Sequence, residues 1–169
     1  MPNEAATLKR RIRWLLVFFI AALVASGVTA FPINAEISLL NQMVGEQSSV
    51  ASWWPGLAGW ISHVHQGVTA MDQQYPFMAY GTDWLAFAHI VIAIAFIGPL
   101  RDPAKNIWVI EFGMIACVLV IPLALICGQI RGIPMFWRLI DCSFGLFGII
   151  PLWLVHRYIC RLVRLEHNT

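Results

Sequence analysis

Four ionisable side chains stand inside or at the edges of long apolar runs of this chain: His89, Glu111, Asp141 and His156. An ionisable group at membrane depth costs about 3 kcal/mol or more, so each is a functional hypothesis by default. Imidazole beside carboxylate is the pairing used for proton transfer, for ion paths and for gripping polar ligands.

His89 lies six residues past Asp83, roughly 9 Å along a helix. Asp141 lies seven residues past Pro134, roughly 10 Å along its own. Two helices entering from the same side would therefore carry them at one depth. Asp141 also shares a helical face with Gly145, Gly148 and His156, and small residues on a stripe let helices approach closely. These spacings predict an outward-opening polar pocket around His89 and Asp141, to which His65, Asp83, Arg131 and Arg138 contribute. Such a pocket suits a quinone, a lipid head group or a haem. It also suits a lipid-modifying enzyme, with His89 or His65 as acid or base and Arg131 or Arg138 on an anionic group. The competing reading is a buried hydrogen bond or ion pair that only fixes helix packing.

Glu111, His156 and Arg157 form a second polar set, toward the opposite surface. Folding the last two helices about Arg131 sets Glu111 level with Pro151 and His156 level with Asn106. That offset of roughly 7 Å is too long for a direct bond without bending, and Pro151 could supply a bend. The set reads as structural, with Arg157 or Arg13 reaching Glu111 along the bilayer edge. The pair His63 and His65 invites a metal, but positions i and i+2 of a helix point about 200° apart, and no metal site is predicted. A haem needs two histidines at one depth, which His89 and His156 are not; His65 with His89 keeps that option. Cys117, Cys127, Cys142 and Cys160 lie in or beside apolar segments without metal spacing and read as small apolar residues. GxSxG, HExxH, SxxK and Walker signatures are absent.

The elements that must position these groups follow from composition. The chain has 169 residues, 59% hydrophobic and 12% charged, about half the charge of an average soluble domain. Nucleic-acid binding is excluded, because the basic residues flank apolar spans rather than forming a polar face. The expected architecture is all-α: a polytopic membrane protein with a four-helix transmembrane bundle, spans falling at about 12–31, 84–100, 104–127 and 136–155. Val28, Thr29 and Ala30 also fit a signal-peptidase site, which would leave three spans. Asp102 and Pro103 read as N-cap and first residue of the third span, and Asn34 as N-cap of a helix running toward Val44. Between the first two spans, 32–83 reads as an extracytoplasmic helical cap. Within it Leu57, Ile61, Val64, Val68 and Met71 recur at helical spacing and predict an amphipathic helix. Residues 156–169 form a basic tail.

Lysine and arginine distribution sets the orientation. Lys9, Arg10, Arg11, Arg13, Arg101, Lys105, Arg157, Arg161 and Arg164 fall on one side, and the remaining two, Arg131 and Arg138, on the other. The termini are thus expected in the cytoplasm of a cell whose plasma or inner membrane holds the protein. Trp14, Trp108 and Trp153 near the inner ends, and Trp84 and Trp137 near the outer ones, agree. The expected function is that of a non-catalytic membrane subunit in the lipid bilayer, binding lipid, a membrane protein partner or its own copies, with no cofactor required.

Overall fold

The computed structural model describes residues 2–167, and these fold into helices and connecting turns without a strand. In chain order the helices are α1 (Pro2–Ala30), α2 (Ile33–Val44), α3 (Pro55–Gln74), α4 (Tyr80–Ala95), α5 (Ile97–Arg101), α6 (Ile107–Ile130) and α7 (Met135–His167), with 3-10 turns at Ser49–Ser52 and Pro76–Ala79. Four stretches, Glu4–Ala30, Pro76–Arg101, Ile107–Ile130 and Met135–His167, are long and apolar enough to cross a membrane. Each exceeds the ~20 residues that a 30 Å hydrocarbon layer requires. The chain divides into two compact units, one of residues 1–22 with 93–169, the other of residues 23–92.

In the first unit, the core is built from helical stripes. Leu8, Ile12 and Leu16 of α1 and Leu152, Val155, Ile159 and Leu162 of α7 are all buried, at steps of three and four residues. The stripe explains why α1 starts well before the apolar run at Ile12: Leu8 belongs to the same buried face. Phe96 is fully buried and packs on Phe19 with ring centroids 4.8 Å apart.

Two boundaries differ from the sequence expectation. The second span is interrupted at Phe96, because Pro99 has no N–H to offer the Ala95 carbonyl; the chain then resumes as the short α5. The third span does not begin at Pro103. Asp102 Oδ1 accepts the Lys105 backbone N–H at 3.2 Å, which closes one isolated turn, and α6 starts at Ile107. Asn106 Nδ2 holds that turn by donating to the Asp102 and Gly98 carbonyls at 2.9 and 3.3 Å.

α6 and α7 are joined through Gly132, at φ +69°. Ile133 N–H donates to the Gly128 carbonyl and Gly132 N–H to that of Gln129, which is the Schellman closure and needs a residue that tolerates positive φ. Gly145 of α7 then lies against the Cys117 backbone carbonyl of α6, and Gly148 against the Cys117 thiol. The small-residue face of α7 read from the sequence is thus the face that meets α6.

In the second unit, α2 and α3 run antiparallel across a polar seam. Asn34 Nδ2 donates to Asp72 Oδ2 at 2.9 Å, Ser38 Oγ and His65 Nε2 lie 3.2 Å apart, and Ser62 Oγ donates to Asn41 Oδ1 at 2.8 Å. Asn34 is therefore no N-cap: Pro32 precedes α2, and the Asn34 amide crosses to α3 instead. Ser62 is buried and also accepts the Glu46 N–H at 3.0 Å. Ser62→Ala leaves both Asn41 Oδ1 and Glu46 N–H without that partner, an expected loss of about 2 kcal/mol. Thermal or denaturant unfolding of the variant checks it, and an unchanged midpoint contradicts the role given to this seam. Also in this unit, Gly27 lets α1 approach α4: a Cβ there would stand 2.8 Å from the Ala86 carbonyl.

Candidate functional site

The six residues predicted to form an outer pocket divide between the units. His65, Asp83 and His89 lie in the second, Arg131, Arg138 and Asp141 in the first. His65 is engaged with Ser38. His89 Nδ1–H donates to the Leu85 carbonyl of its own helix at 2.8 Å. Asp83 lines an apolar recess of about 300 Å³ with Phe31, Tyr80, Trp84 and Phe87.

In the first unit Arg131 is exposed in the α6–α7 turn, and Asp141 is half-buried on α7. Arg138 is buried, at 8% exposure, with its methylenes packed on Gly128. It donates from Nη1 to the Leu125 carbonyl at 3.4 Å, while its buried Nε has no hydrogen-bond partner. Sitting beside the last turns of α6, this cation also meets the negative end of that helix.

The inner set differs from expectation. Glu111 Oε1 and His156 Nε2 are 3.3 Å apart, a direct pair rather than two groups offset beyond contact. The backbones keep the expected register, with Gly145 against the Cys117 carbonyl; the two side chains close the offset because each leans toward the N-terminus of its own antiparallel helix. Arg157 turns away and stacks its guanidinium on the Trp153 ring, 4.8 Å from the centroid. His156 Nδ1 in turn lies 3.9 Å from the Cys160 thiol. Cys160 was read only as a small apolar residue; its step of four from His156, on one helical face, was the available signal.

A recess of the unit lies at the same basic end. It has a volume of about 620 Å³ and lies between α1, the α5–α6 turn and α7. Lys9, Arg10, Arg13 and Arg101 line it, with Asp102 and Glu166 as its acids and Ile12, Leu100 and Leu162 among its apolar walls. Both acids are already engaged: Glu166 with Lys9 at 3.1 Å, and Asp102 with Lys105 at 3.4 Å. The cavity therefore keeps a surplus of guanidinium groups. The sequence gives no sign of this cavity, because nothing in the spacing of these arginines says that three different elements converge.

The N–H of Lys105 holds the exposed Asp102 carboxyl below the usual aspartate value, with smaller help from the Lys105 side chain. A depressed folded pKa stabilises the turn above the unfolded value of about 3.9, and that contribution is lost as pH falls through the lower folded value. In an NMR titration the Lys105 amide shift is expected to move with a midpoint below 3.9, and Asp102→Asn is expected to abolish the transition. A midpoint at or above the ordinary aspartate value would contradict the contact. Against known protein families, curated proteins and solved structures, the chain has no match.

Proposed function

We propose that the chain is a multi-pass membrane subunit whose basic cavity holds the head group of an anionic phospholipid. The observation that carries this reading is the convergence of Arg10, Arg13 and Arg101 on one recess whose two acids are already paired, Glu166 with Lys9 of the same recess and Asp102 with Lys105. Guanidinium groups match phosphate oxygens in pairs, and basic pockets between spans at the cytoplasmic surface are the usual seats of anionic head groups. Ile12, Leu100 and Leu162 offer apolar wall to the glycerol and upper acyl carbons.

In this reading the basic end faces the cytoplasm, as the positive-inside rule requires. The protein acts by binding, as a partner of lipid and of other membrane proteins, rather than by turning over a substrate.

Lipid analysis tests it. Protein purified in mild detergent is expected to retain anionic phospholipid in excess of its share of the membrane. Added anionic phospholipid should raise its melting temperature, and added zwitterionic lipid or inorganic phosphate should not. Equal stabilisation by zwitterionic and anionic lipid would remove the proposal.

A further inference from the structure

We propose that Cys160 is a self-acylating thiol, activated by His156 and Glu111, which takes a long-chain acyl group from an acyl thioester of a phosphorylated carrier. The proposal is independent of the lipid cavity and uses none of the residues that line it. Three side chains form a line: Glu111 Oε1 to His156 Nε2 at 3.3 Å, and His156 Nδ1 to Cys160 Sγ at 3.9 Å. With Nε2–H donating to the Glu111 carboxylate, the neutral imidazole leaves its Nδ1 lone pair turned toward the thiol. That is the order carboxylate, imidazole, nucleophile by which cysteine and serine nucleophiles are activated.

A second observation points to the donor. The thiol and imidazole open on a recess of about 610 Å³ that Arg157, Arg161 and Arg164 also line. These arginines sit on the exposed side of α7 at steps of four and three, around Cys160. Arg161 is shared with Glu4 of α1, and Arg157 rests on Trp153, so the rim is positive but already anchored. Phosphate groups of a carrier fit that rim. Cys160 lies twenty-five residues into α7, counting from Met135, or roughly 38 Å from its start. That is just past a hydrocarbon layer of about 30 Å, where an attached chain can fold back into lipid.

The step balances without a redox partner. His156 Nδ1 takes the thiol proton as Cys160 Sγ attacks the thioester carbonyl carbon. A carbon–sulfur bond to Cys160 forms, the bond to the carrier sulfur breaks, and the departing thiolate takes the proton from the imidazolium. The products are an S-acylated Cys160 and the free carrier thiol. Glu111 is a positioning residue: it fixes the tautomer and steadies the transient imidazolium.

The test uses the purified full-length protein in lipid nanodiscs with an alkyne-tagged palmitoyl coenzyme A, read by fluorescence after coupling and by release with neutral hydroxylamine. The expected result is time-dependent, hydroxylamine-labile label that vanishes in Cys160→Ser and persists in Cys117→Ser and Cys142→Ser. His156→Gln should slow labelling about a hundredfold, as loss of a general base does. Glu111→Gln should slow it by less, with part of the rate recovered in Glu111→Asp. The same variants should slow alkylation of Cys160 by iodoacetamide, a readout that does not need the donor to bind. Label that survives Cys160→Ser, absence of label in the wild type, or a rate unchanged in His156→Gln overturns the proposal. If His156→Gln does not fold, the near-isosteric Glu111→Gln decides, and an unchanged rate there is equally fatal.

Discussion

Replacing Arg10, Arg13 and Arg101 together by glutamine is expected to lower the affinity of the protein for anionic phospholipid by roughly a hundredfold. Each arginine near an anionic lipid surface contributes about 1 kcal/mol, and about 1.4 kcal/mol is a factor of ten, so three come to about two decades. Glutamine removes the charge while keeping a polar, hydrogen-bonding side chain. None of the three arginines is buried, so the variant should keep its fold. Microscale thermophoresis or native mass spectrometry against a short-chain anionic lipid measures the effect. The wild-type affinity should fall as salt rises, and the variant should lose most of that dependence. Arg131, exposed in the α6–α7 turn and not among the residues that line the cavity, is the control: Arg131→Gln should change little. Equal losses for the triple variant and for Arg131→Gln would mean that the cavity is not the binding site.

The second large effect is Gly145→Leu, expected to destabilise the α6–α7 pair by about 3 kcal/mol or to force the helices apart. Overpacking a tight core costs about 1–3 kcal/mol when neighbouring side chains can shift. At Gly145 the obstacle is the Cys117 carbonyl, which is backbone and cannot rotate away. Gly113 provides the contrast. A Cβ there would approach Phe96 Cζ at 2.7 Å and Leu152 Cδ1 at 2.8 Å, both ends of side chains. Gly113→Ala should therefore cost about 1 kcal/mol, clearly less than Gly145→Ala. Melting of the purified variants by nanoscale fluorimetry orders them. If Gly145→Leu melts with the wild type, the close approach of α6 and α7 is wrong.

Much of the frame was legible in residue order. The apolar runs located every stretch able to cross a membrane, because lipid as solvent leaves few other uses for twenty consecutive apolar residues. The end of α2 at Val44 was legible too. Errors concentrated where a side chain chooses between a local and a distant partner. Asn34 was read as a cap because Asn is a good cap, yet Asp72 lies thirty-eight residues away in sequence and 2.9 Å away in space. Asp102 and Pro103 were read as a helix start, and they do start one turn; Asn106 then ends it by taking two carbonyls with its amide.

The candidate sites show the same division. Sequence alone determined that this is a helical chain with four runs fit for lipid, that its lysines and arginines gather toward one set of helix ends, and that His89, Glu111, Asp141 and His156 stand in or beside those runs. It did so because period, hydropathy and charge are properties of neighbours along the chain. Only the tertiary structure decided that Glu111 meets His156, that Cys160 completes the line, and that arginines from α1 and α5 share one cavity. Those depend on the register between helices and on how side chains such as Glu111 and His156 lean across it. Register is set by which glycine lets which backbone approach, as Gly145 does at Cys117, and that choice is made in three dimensions.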